Sequence, residues 1–302
     1  MKTLFNKVLA MAILAIASSF SAYSQTRDIE HDLSEFDSIN VSGDFKVSFS
    51  ASRSYSVKLT VDDVYEPCLD CYVKGKCLYI AVDEKKLPKD AKKQYKAKNV
   101  PDPVFRAVIH APVLSGVTLN DASSMTEAKL SSESLTIELN GAAKMDSVKL
   151  KASSVTLRAN KKASFSGTVA SSSIIASGDG NASFNFDCGE GQSLELNAAG
   201  SSNFIVDGDF EDVKCGCSNN SQTVLAGSAN NLLVTGKAFN AKVDANALIT
   251  ETAKISASGP EVIVKPVEVL ELDLGKGTVV TYYGDPVIKI INVQNASISR
   301  VK

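Results

Sequence analysis

Bulky apolar residues recur along this chain every 19–20 positions, at Met125, Met145, Phe165, Phe184, Phe204, Val224 and Val243. A second apolar series runs about eight residues ahead, through Val117, Ile137 and Leu157 and then Leu196 after one degenerate unit. Inside a unit the pattern has period two. Leu135, Ile137 and Leu139 take one face of a predicted strand, while Thr136 and Glu138 take the other. A one-residue slip would turn the whole apolar set outward, so the register is strongly specified. A repeat this short holds two or three short strands with their turns and no helical hairpin. Each unit therefore predicts one coil of an all-β fold, a single-stranded parallel β-helix or β-solenoid. With strands stacked roughly 4.8 Å apart, about nine or ten coils predict a rod roughly 45 Å long.

The corners of the coils carry their own signal. Asn120, Asn140 and Asn160 follow inward positions at 20-residue intervals. Asn tolerates the left-handed corner conformation, and stacked Asn side chains can hydrogen-bond as a ladder. Asp179 and Ala199 stand at the next two corners, so the ladder should end at Asn160. Small residues fill later corners at Gly178–Gly180, Ala198–Ser202 and Ser218–Ser221.

Before the regular coils, which the pattern starts near Phe105, lies a strand-rich segment without helical periodicity. Phe45, Val47 and Phe49 alternate on one strand, and Tyr55, Val57, Leu59 and Val61 on the next. Cys71–Val82 reads as a hairpin around Lys74-Gly75-Lys76. Residues 84–103 break the pattern with seven lysines (Lys85, Lys86, Lys89, Lys92, Lys93, Lys96 and Lys98) and three prolines. They predict a long exposed loop with one helical turn near Asp90–Lys96. That loop is either a basic arm for an acidic glycan or partner, or a solvated insertion between strands.

The first 24 residues read as a secretory signal: Lys2 and Lys7, the apolar run Val8–Ala17, and a small-residue cleavage site at Ala22-Tyr23-Ser24. The run is too short to span a bilayer. The organisation expected is thus a signal peptide over 1–24, a strand-rich part over 25–110 and regular coils over 111–302, forming one continuous domain. A mature chain starting at Gln25 would act in the periplasm, at the cell surface or outside the cell.

Composition narrows the chemistry. A net charge of −2 argues against general binding to nucleic acid or anionic membranes. Trp is absent, which weakens a carbohydrate site built on stacking, although eight Tyr remain. Six cysteines in an oxidising compartment invite a disulfide reading. Cys215 and Cys217 occupy inward strand positions and read as small buried hydrophobes. Cys68, Cys71, Cys77 and Cys188 leave the pairing open, with Cys71 and Cys77 near enough in a hairpin to approach each other. Neither a second Cys-x2-Cys nor a nearby His completes a zinc site.

Taken in order, Ile39-Asn40-Val41-Ser42-Gly43-Asp44-Phe45-Lys46-Val47, the entry Ala111-Pro112-Val113-Leu114, the small-residue coils and the closing Val279-Val280-Thr281-Tyr282-Tyr283-Gly284-Asp285-Pro286 resemble the head GIN domain family. These are secreted proteins common in Bacteroidetes, described as putative auto-transporter adhesins. The resemblance spans roughly 30–302 and implies a right-handed parallel β-helix, an adhesin-like role and no catalytic residues to carry over. At the first corner Asn120-Asp121-Ala122-Ser123 departs from the Ser-Gly-Ala-Ser that the family favours.

Parallel β-helices host polysaccharide lyases and glycoside hydrolases, and glycoside hydrolysis needs two facing carboxylates. Asp187 and Asp207 lie 20 residues apart, hence one above the other, with Asp209 beside them. A lyase or glycosidase would use this patch, with Ca²⁺ held there and Arg158 or Lys161 as base; the alternative is a solvated acidic stripe. His31 and His110 have no nucleophile in a recognisable elbow, and no phosphate loop or dinucleotide fingerprint is present. The sequence therefore favours a non-catalytic, cofactor-free binding module for a surface glycan or protein. Its ligand-facing elements would be Asp187, Asp207 and Asp209, or the basic loop of Lys85, Lys86, Lys89, Lys92 and Lys93. Open solenoid ends and faces also invite homo-oligomers, unless the N-terminal hairpins and Tyr282–Pro286 cap them.

Overall fold

The structure, a computed structural model, describes residues 26–90, 93, 102–238 and 240–301. The signal segment and Lys92 lie outside that set. The fold is nearly all strand and winds into a β-solenoid of about 10 turns.

One turn shows the plan. β8 (Gly116–Leu119), β9 (Ser124–Thr126), β10 (Lys129–Ser131) and β11 (Ser134–Leu139) follow each other around the rod. β12 (Lys144–Ala159) then runs parallel above β9, β10 and β11 in turn. Three ladders thus climb the rod, one for each strand segment of a turn. In the next turns, β13 (Ser164–Gly178), β14 (Ser183–Ala198), β15 (Asn203–Ser218), β16 (Gln222–Lys237), β17 (Lys242–Ser258) and β18 (Glu261–Gly275), the three segments fuse into one long bent strand. The rod finishes with β19 (Val279–Tyr283), β20 (Val287–Val293) and β21 (Ser297–Val301).

The predicted apolar column is real, with one correction. Met125, Met145, Phe165, Phe184 and Phe204 stack in register, but the next partner is Thr223, followed by Val243 and Val262. Val224 points outward and is 40% exposed. The spacing of 19 from Phe204 to Thr223 admits a small β-branched residue where a larger neighbour misleads the eye. Phe184 and Phe204 stack face to face, their centroids 4.5 Å apart. They fit because the facing column carries Ala159, Gly178 and Ala198. A Cβ on Gly178 would stand 3.0 Å from both rings. Large residues on one ladder therefore meet small ones on another, as close packing requires.

The corners are stacked left-handed turns, with positive φ at Asp121, Gly141, Lys161, Gly180 and Gly200. At Gly200 a Cβ would come within 2.5 Å of the Gly180 nitrogen, so glycine is required there. Beside these turns the Asn ladder forms as predicted and extends one rung further. Asn120 donates to Asn40 at 2.9 Å, Asn140 to Asn120 at 2.9 Å and Asn160 to Asn140 at 2.6 Å. The Asn160 Oδ1 is buried without a partner, which marks the ladder's end.

The N-terminal part threads the stack out of chain order. β2 (Ser38–Val41) and β3 (Lys46–Ala51) pair in parallel with β8 and β9, so they form a coil below the first one predicted. Beneath them lie β6 (Cys77–Val82) under β2 and β7 (Phe105–Ala111) under β3. The coils therefore begin well before Phe105. β4 (Ser56–Asp62) pairs antiparallel to β7, and β1 (Thr26–His31) antiparallel to β4. β5 (Leu69–Lys74) likewise closes against β6. This reversal caps the N-terminal end, as the hairpins suggested. Tyr282–Pro286 caps nothing: β19 is paired on both sides, by β18 and β21.

The β5–β6 hairpin turns at Gly75-Lys76, both with positive φ, a two-residue turn suited to the twist of paired strands. Its register sets Cys71 opposite Ile80 and Cys77 opposite Lys74, so Cys71 and Cys77 do not meet. Cys71, Cys77, Cys188, Cys215 and Cys217 are free thiols, and Cys215 and Cys217 are buried core residues as expected.

Candidate functional site

The second ladder, built on β10, carries a graded column of outward charge. Its partners in order are Lys129, Lys149, Thr168, Asp187, Asp207 and Ala226. Beside it Ser131 stands against Lys151, and on later coils Glu190 stands against Asp209 and Asp209 against Ser228. The ladder is basic toward the N-terminal coils and acidic further along. Asp187 and Asp207 do stack, with Asp209 beside them, and all three side chains are exposed. The Ser228 hydroxyl donates to Asp209 at 2.6 Å.

Between the basic and acidic halves, where the second ladder bends into the third, runs a groove of about 470 Å³. Its hydroxyl-rich lining includes Ser131, Ser153, Ser171 and Ser172, with Lys151 toward the basic coils and Glu190 toward the acidic ones. Ser171 is fixed by donating to the carbonyls of Ser153 (3.1 Å) and Ser173 (2.9 Å). Sequence reasoning missed this groove and the Lys129–Lys149 column of the second ladder. The signal was present in the 20-residue spacing of Lys129 and Lys149, the same rule that picked out Asp187 and Asp207.

The proposed base residues sit elsewhere. Arg158 is on the third ladder and pairs with Glu138 at 3.2 Å. Lys161 belongs to a corner turn. Among the described residues no group of three or more His, Cys, Asp or Glu side chains is placed to hold a metal ion. The carboxylates lie side by side along one open surface, whereas a glycosidase sets two of them across the scissile bond.

The lysine-rich insertion leaves from a different corner, the one joining β6 to β7. Lys85, Lys86, Lys89 and Lys93 fall in its described part, and Lys89, Asp90 and Lys93 are helical as predicted. Lys86 is tied into the cap, 3.1 Å from Asp70 and 3.9 Å from Asp83. Where the insertion's described ends meet the coil, cavities of about 410 Å³ and 360 Å³ share Asp44. Desolvation raises the Asp44 pKa, and the charges of Asp121, Glu84 and Asp102 raise it further. This corner is thus acidic, and the basic insertion springs directly from it.

The family described as "Putative auto-transporter adhesin, head GIN domain" matches residues 35–185 and again 182–286. The chain belongs to this family. Three solved structures are similar to this head GIN domain protein. A putative lipid binding protein from Parabacteroides distasonis shares 16% identity, covering 93% of this chain and 98% of its own, at a TM-score of 0.46. A putative adhesin from Parabacteroides merdae shares 14% identity over 93% and 98%, at 0.47. A putative adhesin from Parabacteroides distasonis shares 11% over 92% and 98%, at 0.48. No curated protein matches. Among the described residues of this head GIN domain protein, no helix is long and apolar enough to cross a membrane.

Proposed function

We propose that this head GIN domain protein is a non-catalytic, extracytoplasmic binding module, exported by its first 24 residues, that grips a surface glycan along the second ladder. The observation that carries this reading is the groove between Lys151 and Glu190. Its aligned hydroxyls offer donors and acceptors to a polyhydroxylated chain, and its two ends offer opposite charges to substituents. The acidic rows through Asp187, Asp207 and Asp209 extend the same surface, so a chain laid along the rod would meet them next. The basic insertion of Lys85, Lys89 and Lys93 lies at another corner and would serve as a separate contact.

The test is retention of residues 25–302 on a panel of immobilised bacterial and host polysaccharides. Saturable retention on one of them, lost in a Lys151→Ala/Glu190→Gln variant of unchanged circular dichroism, is the expected result. Retention on none, or equal retention of the variant, would overturn the glycan reading.

A further inference from the structure

The two ends of the rod are finished differently. At the N-terminal end the antiparallel strands β4 and β5 close the section, and Val57 and Leu59 are fully buried beneath β1. The outermost strand is charged: Arg27 pairs with Glu66, and Asp28 with Lys58 at 2.7 Å. Charge on an edge strand is a standard guard against further pairing.

At the C-terminal end the core is left open. The inward columns run from Leu270 to Ile288, Leu272 to Ile290, Leu274 to Val293 and Val280 to Ile298. The first member of each pair is fully buried, yet Ile288 is 40%, Ile290 64% and Val293 37% exposed. Val287 and Ile291 add 64% and 59%. Among the described residues β20 pairs only with β18, and β21 only with β19, so both present an unpaired edge around this apolar section.

We propose that this end is an interface with a second copy of the same chain, meeting end to end about a two-fold axis. Three features select that partner. A foreign strand would extend one edge only, whereas the section has two edges flanking one exposed core. What covers both is an equally open core of the same section, which the chain's own end supplies. Next, the rim is charge-balanced within each copy. Lys289 pairs with Glu271 at 3.8 Å and Arg300 with Asp285 at 3.1 Å, so identical rims meet without net repulsion. Finally, antiparallel pairing of β20 centred on Ile290 sets Val287 against Val293 of the second copy and Lys289 against Ile291, and opposes no like charges. The charged N-terminal edge disfavours head-to-tail stacking, so the assembly closes as a dimer and does not grow into a fibre.

The test is sedimentation equilibrium on residues 25–302, which contain every described element. The expected mass is twice that of the chain at micromolar concentration, falling to one chain for Ile290→Lys. Ile249→Lys, an exposed position on the side of the rod, should leave the dimer intact. A wild-type monomer, or an Ile290→Lys dimer as stable as wild type, overturns the proposal. Should Ile290→Lys lose its β-sheet circular dichroism, Ile290→Cys decides. It should form an intermolecular disulfide on oxidation that Ile249→Cys does not, and failure to cross-link counts against the interface. Neither outcome bears on glycan retention, so this proposal and the binding reading stand or fall separately.

Discussion

At the scale of single residues, the Asn ladder shows why position outweighs residue type. Asn140 is a middle rung: its amide donates to Asn120 and its carbonyl oxygen accepts from Asn160. Replacing it by Ala strands an acceptor below and a donor above, and stranded buried polar groups cost about 1–3 kcal/mol each. Asn160 is the last rung, and its own carbonyl oxygen already lacks a partner. Asn160→Ala therefore strands only the Asn140 acceptor and removes an existing defect. Urea denaturation should show Asn140→Ala losing clearly more stability than Asn160→Ala. Equal losses would mean that the ladder is ornament and that the corner turns hold themselves. The ladder's reach from Asn120 to Asn160 was legible in the sequence because the spacing is regular. Its first rung at Asn40 was not, because 80 residues of chain separate it from Asn120.

At the scale of elements, the columns of the core are what the repeat encodes, and Cys215 is one member of such a column. It follows Leu196 and precedes Val234, and it is fully buried. Burial pushes its thiol pKa up to about 12; the neighbouring Cys217 adds to this, while the Thr223 hydroxyl opposes it. An unfolded thiol ionises near 8.5, so between these values the unfolded chain gives up a proton that the folded chain retains. Stability from this group is complete below about pH 8.5 and falls as pH rises toward 12, by up to about 1.4 kcal/mol per pH unit. Cys215→Ala should flatten that alkaline decline when urea midpoints are compared at about pH 8 and about pH 10.5, and an unchanged slope would assign the decline to other groups. The same columns explain where pattern reading slipped. Thr223 carries the inward position although Val224 is the more apolar neighbour, because strand register is set by pairing across coils and not by local hydropathy. The hairpin thiols misled for a related reason: proximity in sequence placed Cys71 and Cys77 near one turn, and register then set them against Ile80 and Lys74.

At the scale of the whole molecule, a solenoid is close to one-dimensional, each turn holding its neighbours and little else. The regular turns were readable for that reason, since each repeats the same local rule. The out-of-order threading of β2, β3, β6 and β7 was not, because it depends on contacts that no periodicity records. The groove beside Lys151 was also hidden, since it exists only where several coils bring their serines together at one bend. One-dimensional stacking further implies that loss of structure begins at whichever end is less well covered. Leu59 at the N-terminal end is completely shielded, whereas Ile290 at the other end is 64% exposed. Burying apolar area stabilises by roughly 25 cal/mol per Å², so in a lone chain the last turn holds on far more weakly than the cap. Native-state hydrogen exchange in dilute solution should therefore reach β20 and β21 first and move inward through β18, with β4 and β7 protected nearly as well as β14 and β15. If β4 exchanged ahead of β20, the antiparallel strands would be decoration on the rod and not its cap. The same experiment at higher concentration adds a second contrast. Slowing confined to β20 and β21 would follow from a copy seated on that end, while the exchange of β4 and β7 would stay as it was.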